Sequence, residues 1–198
     1  MSENRRSLLL VVSAPSGAGK STLCDRLLAD EPGITRSVSC TTRAPRGVEV
    51  DGRDYYFLTM AEFEHRVQAG EFLEHAMVHG NCYGTLRRTV EETLAADRDV
   101  LLVIDVQGAA LVRDAVKARG GIMARGYVDI FVAPPSLEVL RDRLVKRAED
   151  VPEVIERRLK NAEGELARAG EYQHKVINDD LTRAYIELRA IVQAEHLR

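Results

Sequence analysis

Leu8-Leu9-Leu10-Val11-Val12-Ser13-Ala14-Pro15-Ser16-Gly17-Ala18-Gly19-Lys20-Ser21-Thr22 is the stretch from which the rest of the chain is read. Five apolar residues in a row, closed by small ones, have the character of a strand buried on both faces of a parallel sheet. Ser13–Gly19 is a Pro/Ser/Gly loop, and from Ser21 to Ala29 the residues Leu23, Leu27 and Leu28 recur at helical spacing. Strand, glycine-rich loop and helix together open a βα unit.

Ala14 to Ser21 agrees with seven of the eight positions of the pattern G-x-x-x-x-G-K-[ST], Ala14 standing at the first glycine. Such a loop turns its backbone N–H groups inward onto phosphate oxygens, and the following helix adds its positive end. The expected nucleotide-binding residues are therefore Ala14, Pro15, Ser16, Gly17, Ala18, Gly19, Lys20, Ser21 and Thr22. Lys20 would reach the β- and γ-phosphates of ATP, and Ser21 would ligate Mg²⁺. A glycine-rich turn that binds nothing is the plain alternative, and the strand before and helix after weigh against it. Ala14 must keep a negative φ, since the left-handed region costs a non-glycine residue roughly 1–2 kcal/mol.

Outward from this loop, strands and helices alternate. Val100–Ile104 is a second apolar run, closed by Asp105, and Tyr127–Val132 a third. Helical stretches are expected over Gln107–Ala118, Ser136–Arg147, Val154–Ala169 and Leu181–Leu197, with a short strand at Lys175–Ile177. Thr89-x-x-Glu92 matches a helix-start pattern. Gly120-Gly121 breaks one helix and Asp150-Val151-Pro152 separates two others. From Ile34 to about Arg88 the composition shifts to Thr, Arg, Gly and Tyr. The alternating Ser37-Val38-Ser39 and Tyr55-Tyr56-Phe57 then suggest an inserted, mostly β lobe with one helix near Ala61–Ala69. The expected fold class is α/β, a parallel sheet flanked by helices on both faces.

The composition bounds the function. The chain has 198 residues, a formal net charge of −3 and 45% hydrophobic residues, an ordinary soluble globular make-up for one core domain with smaller lobes. That balance argues against bulk nucleic-acid binding. Yet 23 of the 28 basic residues are Arg, and Lys20 is the one lysine before Lys117. Cys24, Cys40 and Cys82 are odd in number and widely spaced, which fits reduced thiols in a cytoplasm. His75 and His79, four apart, lack a third ligand nearby and read as ordinary side chains. Leu8–Val12 is too short for a signal core or a membrane span.

The acceptor side is read from Ser37 to Tyr55. Arg43 and Arg46 flank Ala44-Pro45, where proline keeps the chain extended, so two planar forks can converge on one anion. Tyr55 and Tyr83 add neutral donors. Ser39, Glu74, Thr85 and Asp105 add hydroxyls and carboxylates, and a carboxylate can accept the adjacent N1–H and amine of guanine. The same segment also suits a solvated basic loop. Asp105 suits a carboxylate at the end of a strand beside a phosphate site, or a simple cap on the next helix. Asp105-Val106-Gln107-Gly108 fits the D-x-x-G of GTPases, but no N-K-x-D accompanies it.

Seven segments in register resemble the guanylate kinase family. They are the phosphate loop, Ser39-Cys-Thr-Thr-Arg-Ala-Pro-Arg46, Glu49-Val-Asp-Gly-Arg-Asp-Tyr55, Gly80-Asn-Cys-Tyr-Gly84, Ile104-Asp-Val-Gln-Gly108, Ala133-Pro-Pro-Ser136 and Asn178-Asp-Asp-Leu181. The resemblance spans about Leu8 to Ala190. It implies a P-loop kinase whose core is residues 1–34, 89–135 and 170–198, with a GMP-binding lobe at 35–88 and a helical lid at 136–169. It implies transfer of phosphoryl from MgATP to GMP, and dGMP as a further acceptor, within purine nucleotide metabolism.

By the same resemblance, Arg43, Arg46, Tyr55 and Tyr83 would hold the GMP phosphate, and Ser39, Glu74, Thr85 and Asp105 would read or support guanine. Asn178 would lie near adenine. Lys20, Arg43 and the lid arginines Arg143, Arg147 and Arg158 would act on the transferring phosphates. GMP and ATP are the implied partners, with no nucleic acid and no membrane; an oligomer is left open. Ala14 and Val103 depart from the family pattern, Val103 standing where some relatives carry a second carboxylate. Lys117–Gly126 reads as a longer surface connection. Two other readings stay open: a non-catalytic binding module of the same fold, and a P-loop kinase for another nucleoside monophosphate.

Overall fold

The computed structural model describes residues 6–78, 80–146 and 152–198. His79, Arg147 and the Asp150-Val151 part of the expected helix break lie outside the described residues. In chain order the elements are β1 (Leu9–Ser13), α1 (Lys20–Asp30), β2 (Ile34–Arg36), β3 (Cys40–Thr41), β4 (Tyr56–Phe57), α2 (Met60–Gln68), β5 (Phe72–Val78), β6 (Asn81–Leu86) and α3 (Arg87–Ala95). There follow β7 (Asp99–Val103), α4 (Val106–Arg119), α5 (Gly121–Gly126), β8 (Tyr127–Ala133), α6 (Leu137–Lys146), α7 (Pro152–Ala167), a 3₁₀ turn (Ala169–Glu171), β9 (His174–Ile177) and α8 (Leu181–His196).

The apolar runs become a five-stranded sheet of order β2-β7-β1-β8-β9, parallel at every pairing. Because strand side chains alternate, β1 serves two cores. Leu8, Leu10 and Val12 pack with α1 and α8 through Leu23, Leu27, Tyr185 and Leu188. Leu9 and Val11 pack with α3, α4 and α5 through Leu94, Val112 and Met123. This is the expected α/β architecture, a parallel sheet with helices packed on both faces.

A second sheet of order β4-β3-β6-β5 is mixed, with β5, β6 and β3 antiparallel and β3, β4 parallel. It has its own small core of Cys40, Phe63 and Phe72, the two rings stacked at 4.6 Å. Helices α6 and α7 form another cluster through Leu140, Leu144, Ile155 and Leu159.

Three local expectations change, and the helix near Ala61–Ala69 is found within one residue of its expected place. Ser37-Val38-Ser39 is not a strand; the strands lie on either side, and Ile34–Arg36 belongs to the five-stranded sheet. Thr89 does not start a helix. The chain runs from β6 directly into α3, whose N-cap is Leu86 without a side-chain cap, and Thr89 already sits in the first turn, its carbonyl accepting from Thr93 Oγ1. Lys117–Gly126 is not a loose connection, since α4 runs to Arg119 and α5 follows directly, with Met123 and Gly126 buried. A Cβ on Gly126 would stand 2.2 Å from the Ser7 carbonyl, so this close approach of two backbones requires glycine. The helix expected near Ala61 starts at Met60 on a complete capping box, Thr59 with Glu62.

Candidate active site

Two cavities open at the C-terminal end of the parallel strands, the usual ligand position in such sheets. The first is the phosphate loop. Ala14, Pro15, Ser16, Gly17, Gly19, Lys20, Ser21 and Thr22 line it, together with Val78, Asp105 and Glu165. Gly17 and Gly19 take φ of 89° and 91°, and among the described residues Asp97 is the one non-glycine with positive φ, so Ala14 meets its condition. The Ala18 side chain is buried in the core. A Cβ on Gly19 would stand 2.2 Å from the Asn178 amide nitrogen. That amide donates to the Ala18 carbonyl at 2.7 Å, so Asn178, only 4% exposed, holds the loop from beneath. Lys20 Nζ donates to the Ile104 carbonyl at 2.7 Å. Burial pushes its ammonium pKa below the usual lysine range, while Asp105 and Glu165 favour the charge.

The second cavity is lined by Ser39, Tyr55, Glu74, Ala76, Val78, Tyr83, Val103, Ile104, Asp105 and Gly108. The β5–β6 hairpin pairs Glu74 with Thr85, and Thr85 Oγ1 donates to Glu74 Oε1 at 2.7 Å. Thr85 therefore stands behind the carboxylate rather than in the cavity. Glu74 is 7% exposed. Burial raises its carboxyl from an ordinary 4.5 to about 7; the Thr85 hydrogen bond opposes the rise and the nearby Asp105 charge adds to it. Asp105 is the N-cap of α4, accepting from the Gly108 N–H at 2.8 Å. It also faces both cavities, so capping and site placement coincide in one residue.

The family model for guanylate kinase matches residues 6–195. A guanylate kinase of Chelativorans sp. (strain BNC1) is 48% identical over 194 residues, covering 98% of this chain and 86% of that protein. One of Symbiobacterium thermophilum is 48% identical over 198 residues, covering 100% and 90%. The chain belongs to the guanylate kinase family. The crystal structure of guanylate kinase from Anaplasma phagocytophilum superposes with a TM-score of 0.76 at 34% identity, covering 98% of this chain and 88% of that one. Guanylate kinases are ATP:GMP phosphotransferases, and the chain is an enzyme of that class.

Within this guanylate kinase family chain, the expected arginines occupy three different settings. Arg43 lies over the Tyr55 ring at 5.3 Å. Its Nη2 donates to both oxygens of Glu49, at 2.9 and 3.0 Å, and its pKa is raised chiefly by that pairing. Glu49 also accepts from the Arg46 backbone N–H at 2.7 Å, while the Arg46 residue is exposed. Arg143 Nη2 donates to the Asn178 carbonyl at 2.8 Å, and its buried Nη1 has no hydrogen-bond partner among the described residues. Arg158 lines a third cavity with Ser16, Val154, Arg157, Asn161 and Glu165. Arg147 lies outside the described residues.

Two acids at the site, Glu49 and Glu165, do not stand out in the sequence. Glu49 is three residues beyond Arg46, inside the Ser37–Tyr55 segment whose arginines mark the acceptor side, and opposite charge in one short loop is the signal for its pairing with Arg43. Glu165 has no such signal, because it is one of several acids on a helix patterned like any amphipathic one.

Among the described residues no group of three or more His, Cys, Asp or Glu side chains could hold a metal alone. The Ser21 hydroxyl and Asp105 carboxylate in one cavity are hard oxygen donors, a set that suits magnesium completed by water and phosphate. Among the described residues no helix is long and apolar enough to cross a membrane.

Proposed function

We propose that this chain transfers the γ-phosphoryl group of ATP to GMP, giving ADP and GDP, in purine nucleotide metabolism and GMP recycling in the cytoplasm. The observation that carries this reading is the shared wall of the two cavities: Val78 and Asp105 line both. A base seated against Glu74 would thus present its phosphate towards the loop that takes the donor phosphates.

The roles follow from position. The loop residues Ala14 to Thr22 bind the ATP phosphates, with Asn178 acting from beneath the loop. Lys20 turns from the Ile104 carbonyl to the β- and γ-oxygens. Ser21 would hold magnesium, which would supply charge neutralisation at the donor phosphates. Glu74 and Asp105 accept the N1–H and amine of guanine, Ser39 supports them, and Thr85 fixes Glu74. Arg43, Arg46, Tyr55 and Tyr83 hold the GMP phosphate, Arg43 being shared with or released by Glu49. Arg143, Arg147 and Arg158 close on the transferring group from 136–169, the proposed lid.

In the transfer, the bond from the γ-phosphorus to the β,γ-bridging oxygen breaks. A bond from that phosphorus to a GMP phosphate oxygen forms. The acceptor oxygen is already ionised and the transition state loose, so positioning and charge neutralisation suffice without a general base. No assigned residue reads the 2′-hydroxyl, so dGMP is an acceptor too.

Coupled ADP release with GMP, dGMP, AMP, UMP and CMP tests this reading. Turnover with GMP and dGMP is expected. Turnover with AMP or UMP alone would assign a different acceptor, and none with any would make the chain a binding module.

A further inference from the structure

Glu165 is an acid with no task in the transfer described above. It sits near the end of α7, half-buried, and lines two cavities at once. In one it faces Lys20, Ser21, Thr22 and Asp105. In the other it stands with Ser16, Arg157, Arg158 and Asn161. Burial and the Asp105 charge raise its carboxyl above the ordinary range, and Lys20 opposes them. The groups sharing its cavities are thus the Lys20 ammonium at the start of α1, the Asp105 carboxylate at the N-cap of α4, the hydroxyls of Ser16, Ser21 and Thr22, and two guanidinium groups from its own helix.

A site for a polyphosphate is an unfavourable place for a half-buried carboxylate, because like charges at short range in a partly dry cleft repel. The arrangement becomes favourable if a cation stands between the carboxylate and the phosphates. Ser21 supplies a hydroxyl and Asp105 a carboxylate to the same cavity, and magnesium typically retains several waters that need acceptors.

We propose that Glu165 acts toward the divalent cation that accompanies ATP, through the water bound to that cation, and so ties helix α7 to the metal–nucleotide pair. This rests on the reading of the phosphate loop as the ATP site. Glu165 is a positioning residue in this role. It penalises nucleotide without metal and favours nucleotide with it.

Two measurements on the full chain without GMP test the proposal. Calorimetric ATP affinity is compared in EDTA and in excess Mg²⁺ for the wild type, Glu165→Gln and Glu165→Asp. Mn²⁺ binding in the presence of ATP is followed by electron paramagnetic resonance. In Glu165→Gln the gain in ATP affinity on adding Mg²⁺ should shrink about tenfold, the scale of one lost charge-assisted hydrogen bond. Metal-free ATP binding should stay equal or tighten, Mn²⁺ should bind more weakly, and Glu165→Asp should recover part of the gain. Glu163→Gln, an exposed acid on the same helix, should behave as wild type.

An unchanged Mg²⁺ gain in a folded Glu165→Gln overturns the proposal. So does weakened metal-free binding, which would make Glu165 a partner of Lys20 only. A wild type that binds no ATP in either condition overturns the assignment of the ATP site itself.

Discussion

Replacing Glu74 by Gln separates the cost of the acceptor site from its use. Glu74 is 7% exposed and its carboxyl rises from 4.5 to about 7. That difference corresponds to about 3 kcal/mol, at 1.36 kcal/mol per pH unit. Because the folded-state value is raised, the folded state has its full advantage below 4.5 and loses it as pH rises through 7. Above that range the free protein carries a buried charge supported by Thr85 through its hydroxyl and its backbone N–H. Glutamine is neutral, nearly isosteric, and its carbonyl can still accept from Thr85. Glu74→Gln should therefore be more stable than wild type at about pH 8.5, by up to about 3 kcal/mol, and show little difference at about pH 5. Urea denaturation at both pH values measures this.

The same substitution removes a charged acceptor for guanine, so kcat/KM for GMP should fall about 10–150-fold, equivalent to about 1.5–3 kcal/mol. The ratio of wild type to variant should shrink as pH falls through 7, because the wild-type carboxylate protonates; taking the ratio cancels titration of the GMP phosphate. A variant less stable at both pH values, or one with unaltered GMP kinetics, would refute the reasoning.

Two further outcomes follow from the same geometry. Lys20→Ala should lower kcat about 10²–10³-fold while the melting temperature is kept, since the variant loses a charge aimed at developing phosphate charge and Lys20 is buried at a cost already. Arg113→Ala should cost about 3–5 kcal/mol in urea unfolding, because Asp129, 1% exposed, would keep the Tyr127 hydroxyl and the Gln173 N–H but lose its guanidinium.

The parts legible in the sequence are those fixed by neighbours in the chain. A continuous apolar run before a glycine loop has one economical fold, and β1, the loop and α1 follow it. Local pattern fails where the same letters meet different surroundings. Thr59-x-x-Glu62 and Thr89-x-x-Glu92 share one signature, yet only the first is a capping box. The second is overridden because β6 enters α3 without a turn. At the site, Glu74 gains its character from cross-strand pairing with Thr85 and from burial, neither of which a linear pattern states. Asn178 reaches Ala18 across 160 residues, and Glu165 faces the loop only because α6 and α7 pack over it through Leu140 and Leu144 against Gly17.

In the proposed reaction phosphoryl passes from ATP on the loop to GMP on the Glu74 side of the shared wall. Supplying ATP labelled at the γ-phosphorus together with GMP, and separating the products, tests it most directly. Label should appear in the β-phosphate of GDP in step with ADP formation. Label appearing instead as inorganic phosphate, or remaining in ATP while GMP is intact, would contradict it.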